Sequence, residues 1–130
     1  MARFGYTIVH VPDVGAAVDF YERAFGLSRR FVDDSNQYAE METGATALAF
    51  AAEDLIAGNF TLAVNHTRPA EPPPAVELVF VEEDVQKSYD LALAAGAFEV
   101  SKPAQKPWGQ TVAYVRDLNG LLVELCTPMG

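Results

Sequence analysis

Few side chains in this sequence combine reactivity with a position that a fold could exploit. There are two histidines, His10 and His66, and one cysteine, Cys126. His10 stands in a strand-like run, YTIVHVPDV at residues 6–14. Strand side chains alternate, so Tyr6, Ile8 and His10 share a face. A histidine there can shuttle a proton or touch a substrate. The plainer reading, which weighs more, is a strand-end imidazole bonded to a nearby carbonyl or carboxylate. His66 precedes a proline-rich stretch and reads as a surface residue. Cys126 follows Glu124 on one face of another strand-like run, and a lone cysteine in such a run is more often a small buried hydrophobe than a nucleophile. Trp108, after Lys106-Pro107, is expected to open a strand. Exposed, its indole would stack on planar or cationic groups; packed, it would only close a strand entrance. Glycine-rich phosphate loops and nucleophile elbows are absent.

The elements that must carry these residues come in two copies. Residues 77–85 read ELVFVEEDV, and each of the two runs ends in Asp-Val. Asp13 and Asp84 can cap a helix by accepting from first-turn amides. Val14, Val18, Tyr21 and Phe25 recur at helical spacing, as do Val85, Tyr89 and Leu93. Gly26 and Gly96 can end those helices. Three strand candidates follow each helix: about 28–33, 37–43 and 45–52, then about 97–101, 110–116 and 120–127. Turn residues separate them, including Pro103 to Pro107 and Asp117 to Gly120. The pattern is strand, helix, three strands, given twice. Module one covers about 4–66, a stiff extended linker (TRPAEPPPA) about 67–75, and module two about 76–128. Residues 53–66 read as a short helix and a loop over the site.

Composition narrows the partners. The chain has 130 residues and is half apolar, enough for a core without disulfide or metal. Acidic residues number 18 against 9 basic, a net charge of −9. Nucleic acid and anionic membrane surfaces are therefore not expected partners. One thiol, no signal-like apolar stretch and no membrane-length run fit the cytoplasm.

Three stretches in this order carry a resemblance. They are Val11-Pro12-Asp13 with Asp19-Phe20-Tyr21 and Phe25-Gly26-Leu27; Glu83-Asp84-Val85 with Ala94 to Ala97; and WGQTVAYVRDLNGLLVEL at 108–125. Together they resemble the vicinal oxygen chelate superfamily, which includes glyoxalase I, bleomycin and fosfomycin resistance proteins and extradiol dioxygenases. The resemblance implies an α+β fold of two βαβββ modules forming a cupped mixed sheet, with a small molecule bound in the cup between them. It also implies a homodimer.

Many relatives hold a divalent metal on the first and last strands of each module. Carried over, those positions fall on Tyr6 and Glu77, and on Glu124 and Ala49, the last with a possible slip to Leu48. Alanine has no donor, and a phenol of ordinary pKa about 10 is a poor ligand. Glu77 and Glu124 are thus the catalytic candidates, and the metal ligands if one binds. No cofactor is expected, only a weakly held Mg, Mn, Ni, Zn or Fe ion. Tyr6, His10, Trp108, Ala49 and Cys126 are the ligand-binding candidates. Neighbouring carboxylates cannot both ionise cheaply, so one should hold its proton unless Arg29, Arg30, Arg116 or a tyrosine ties it up. The leading expectation is a metal-free binder of the bleomycin-resistance type, with an acidic chain favouring a cationic ligand. The alternative is a glyoxalase-like lyase or isomerase using Glu77 and Glu124; a dioxygenase ranks last, since its iron would need imidazoles here.

Overall fold

Both aspartates cap helices. In the computed structural model, which describes residues 1–129, Asp13 accepts from the Ala16 amide and Asp84 from the Lys87 amide, each at 3.1 Å. The element order is β1 (Tyr6–Val11), α1 (Val14–Phe25), β2 (Arg29–Val32), β3 (Tyr38–Met41), β4 (Ala47–Ala52), α2 (Glu53–Ala57), β5 (Glu77–Val81), α3 (Val85–Ala94), β6 (Phe98–Gln105), β7 (Thr111–Arg116) and β8 (Leu122–Cys126). Gly26 closes α1 in the left-handed conformation (φ 70°). At the end of α3 the cap is Ala95, and Gly96 beyond it takes the positive φ of 111°. No helix among the described residues is long and apolar enough to cross a membrane.

The chain divides into two compact units. Met1–Glu22 and Gly26–His66 form the first; Arg23–Phe25 and everything from Thr67 form the second. In the first, a mixed sheet has the order β1-β4-β3-β2, with β1 and β4 parallel. The side chains of Ala39, Met41, Leu48 and Phe50 all point to the side where Tyr21 of α1 meets Phe50, ring centroids 4.9 Å apart. Tyr21, Phe50 and Met41 are fully buried, so this side is the core. In the second unit the order is β5-β8-β7-β6, with β5 and β8 parallel. Here α3 covers the side of Ala113, Val115, Val123 and Leu125, and the Tyr89 hydroxyl donates to Glu99. Phe25 lies against Phe80 in this unit, centroids 4.8 Å apart.

Three local expectations change. The sixth strand runs on through Pro103 to Gln105. It is the edge strand and carries register shifts at Glu99–Ser101 and Ser101–Ala104, where a residue without an N–H is tolerated. Trp108 does not open the seventh strand: it sits in the turn closed by the Gly109 amide on the Lys106 carbonyl (2.9 Å). The linker is not simply extended. It turns at Arg68–Glu71, and the Arg116 guanidinium ties that turn down, donating to the Arg68, Pro69 and Glu71 carbonyls at 3.2, 3.1 and 2.7 Å.

Candidate functional site

The second sheet brings Glu77 and Glu124 together on its face away from α3. Parallel pairing sets Glu77 opposite Leu122 and Val79 opposite Glu124, which makes the two glutamates diagonal neighbours on one face. On the other side of β8, Tyr114 stands directly across from Glu124. Its hydroxyl donates to Glu124 Oε1 at 2.9 Å. Glu77 shares a hydrogen bond with Glu124, which requires a proton on one of them. Partial burial, that hydrogen bond and the Glu124 charge, in descending order, hold the Glu77 carboxyl above the usual carboxylate range. Glu124 accepts from Tyr114 as well.

Two other groups on this face also hold their protons more tightly than usual. Burial first, then the bond to Glu124, pushes the Tyr114 phenol up to about 12. The buried Cys126 thiol is raised for the same two reasons. A thiol so held is a poor nucleophile. Two carboxylates beside a protonated phenol and thiol do not make the donor set of a resident metal, and no three metal-ligating side chains gather among the described residues.

The arginines that might have neutralised the pair are spent elsewhere. Arg29 binds Glu22 (2.8 Å) and Asp19 (3.0 Å), and Arg30 binds Glu42 (2.9 Å) and Glu40 (3.2 Å). Arg116 serves only backbone carbonyls, including that of Gly120 at 2.7 Å. Trp108 is 63% exposed at its turn and donates to Gln110 Oε1 at 2.7 Å. That turn lies beyond the Val112–Cys126 end of the strand pair, so the sheet does not bring the indole beside Glu124.

In the first sheet, Tyr6 pairs with Ala47 and Ile8 with Ala49. That repeats the second sheet's pattern: Tyr6 takes the place of Glu77, and Ala49 the place of Glu124. Leu48 is out of register, since its side chain shares the Phe50 side. This face therefore has a phenol and a methyl group where the second has carboxyls. Tyr38 adds a hydroxyl that donates to Glu40 Oε2 at 2.8 Å, and burial pushes its phenol up to about 12. The His10 side chain, opposite Ala51, makes no hydrogen bond or ion pair among the described residues, contrary to the plainer expectation. It lines a cleft of about 500 Å³ with α2 and the loop after it. His66 is half exposed but belongs to the same cleft, its Nδ1 3.3 Å from Glu53 Oε2.

Tyr114 is the residue that sequence reasoning undervalued. A signal existed: a hairpin centred on the Asp117–Gly120 turn pairs positions equidistant from Asn119, and Tyr114 and Glu124 are two such positions.

Comparison with known proteins agrees with this architecture. The chain matches the Glyoxalase/Bleomycin resistance protein/Dioxygenase superfamily over residues 3–125. It is 28% identical over 116 residues to YraH of Bacillus subtilis (strain 168), covering 88% of this chain and 90% of that protein. A glyoxalase-related enzyme from Fulvimarina pelagi superposes with a TM-score of 0.84 at 19% identity, over 98% of this chain and 89% of that one. A glyoxalase/bleomycin resistance protein/dioxygenase family enzyme from Burkholderia phytofirmans PsJN gives 0.76 at 19% identity, over 97% and 98%. With the repeated βαβββ order, the mixed four-stranded sheets and a family match across almost its whole length, the chain belongs to the glyoxalase/bleomycin resistance protein/dioxygenase superfamily.

Proposed function

We propose that this chain binds a small organic cation at the Glu77–Glu124 pair, without a resident metal. The observation that carries the reading is the carboxyl pair: two carboxyls meet, Arg29, Arg30 and Arg116 are engaged elsewhere, and Glu77 keeps its proton more tightly than an ordinary glutamate. A ligand ammonium or a planar delocalised cation would take the place of that proton and gain the charge of both groups. Val79, 47% exposed on the same face, and Tyr114 give its apolar body something to rest on. The net charge of −9 favours the approach of cations. The cytoplasm and a homodimer are part of the proposal, carried from the single thiol and the family resemblance.

A second reading rests on the same proton. In a glyoxalase-type lyase or isomerase, Glu124 would remove a proton beside a substrate carbonyl, and the Glu77 carboxyl would return one.

The test is a thermal-shift series with the planar cation proflavine and, separately, Mg²⁺, Mn²⁺, Ni²⁺, Zn²⁺ and Fe²⁺. A ligand that binds only the folded state raises the melting temperature. Proflavine is expected to raise it, and Glu77→Gln and Glu124→Gln to remove the rise. A metal-induced rise that the two variants remove, with none from proflavine, would replace the cation reading with a metal-binding one.

A further inference from the structure

The cleft in the first unit is not explained by the carboxyl pair. Its floor is the end of β1 at His10, and its walls are α2 and the loop that follows. A volume of about 500 Å³ is within the range of drug-sized ligand sites, about 300–1,000 Å³. Ile56, Phe60 and Leu62 supply an apolar lining. Phe60 and Leu62 are 45% and 76% exposed, side chains that the fold leaves without cover.

The polar groups are few and differently committed. Glu53 is nearly buried, its side chain 10% exposed, and its carboxylate is engaged by His66. The Glu53 carboxylate is therefore already committed to a partner within the protein. Thr61 adds an exposed hydroxyl at the cleft, and His10 is the half-buried polar group left over: its side chain lines the cleft and has no hydrogen-bond or ion-pair partner among the described residues. A neutral imidazole in that position has one nitrogen free to accept a hydrogen bond. An apolar wall with an open, half-buried imidazole acceptor suits a neutral, largely aromatic molecule bearing a hydroxyl. A cation would find Glu53 already occupied, and an anion would lie beside its carboxylate.

We propose that this cleft is a binding site for phenol-class ligands, with the ligand hydroxyl donating to His10 and its ring resting on Phe60. This goes beyond the cation site, whose ligand chemistry is opposite.

The probes are 2-naphthol and its methyl ether, 2-methoxynaphthalene, which matches its shape but has no O–H to donate. Their own fluorescence reports binding. Wild-type protein is expected to bind 2-naphthol about tenfold more tightly than the ether, the usual value of one hydrogen bond in a sheltered site. In His10→Phe, which fills the space without an acceptor, the two should bind equally. In Phe60→Ser both should bind more weakly, while the preference for the hydroxyl persists. Circular dichroism melts establish that each variant is folded, and a His10→Gln variant that restores an acceptor should recover part of the preference. Absence of saturable binding would overturn the proposal. So would equal affinities in wild type, or a preference that survives in folded His10→Phe.

Discussion

Replacing Glu77 with glutamine isolates the repulsion that the shared proton relieves. Glutamine keeps an N–H to donate to Glu124 but carries no charge at any pH. Two full charges about 4 Å apart repel by about 1 kcal/mol in water and about 4 kcal/mol near a protein surface. Glu77 is exposed, which puts the pair toward the lower end, about 1–2 kcal/mol. The folded-state pKa of Glu77 is raised, so folding favours its protonated form. That contribution is complete below the unfolded value of about 4.3 and is lost as pH rises through the folded value. Wild type and Glu77→Gln should therefore melt together near pH 4. By pH 8 the variant should melt about 4–7 °C higher, taking about 2.1 cal/mol/K of unfolding entropy per residue. The assay is a pair of melting curves at each pH from 4 to 9. In about 1 M NaCl, where the screening length is about 3 Å, the gap should shrink. A gap that does not change with pH would refute the reasoning, because the carboxyls would then not be interacting.

Other variants test the frame around the site. Gly120 has φ +97°, and a Cβ there would lie 2.7 Å from Arg116 Nη2 and 2.8 Å from the Arg68 carbonyl. Gly120→Ala should cost about 2–4 kcal/mol in urea unfolding, since strain and a backbone clash combine. Asp13→Ala should cost about 1 kcal/mol by the same assay, the usual value of a helix N-cap. Cys126 should react with a disulfide reagent such as DTNB far more slowly than free cysteine at pH 7, with the rate recovering in denaturant, because burial keeps it protonated.

Much of the fold was legible because chemistry repeats. The paired Asp caps, the glycines at 26 and 96 and the strand-length apolar runs place every element except α2 and the exact course of β6. Pro103 looked like a strand breaker, but the sequence does not reveal that its strand is at a sheet edge. The glutamates came from the family resemblance; their meeting depends on parallel pairing of β5 with β8, a contact across more than forty residues that no local pattern encodes. Tyr114 was nearer to hand, since hairpin symmetry alone pairs it with Glu124. The 53–66 segment has no periodicity to read, so neither the cleft nor the Glu53–His66 pair was visible beforehand. The commitments of Arg29, Arg30 and Arg116 were equally hidden, because each is held by partners that only the folded chain brings close.

The account stands most directly on what happens to the proton that Glu77 and Glu124 share. The decisive measurement is calorimetric titration of proflavine at pH 5, repeated in buffers of different ionisation enthalpy, which counts protons released on binding. If a cation replaces the shared proton, wild type should release protons, and Glu77→Gln should bind without release. Binding with no proton release in wild type, or the same release in Glu77→Gln, would contradict it.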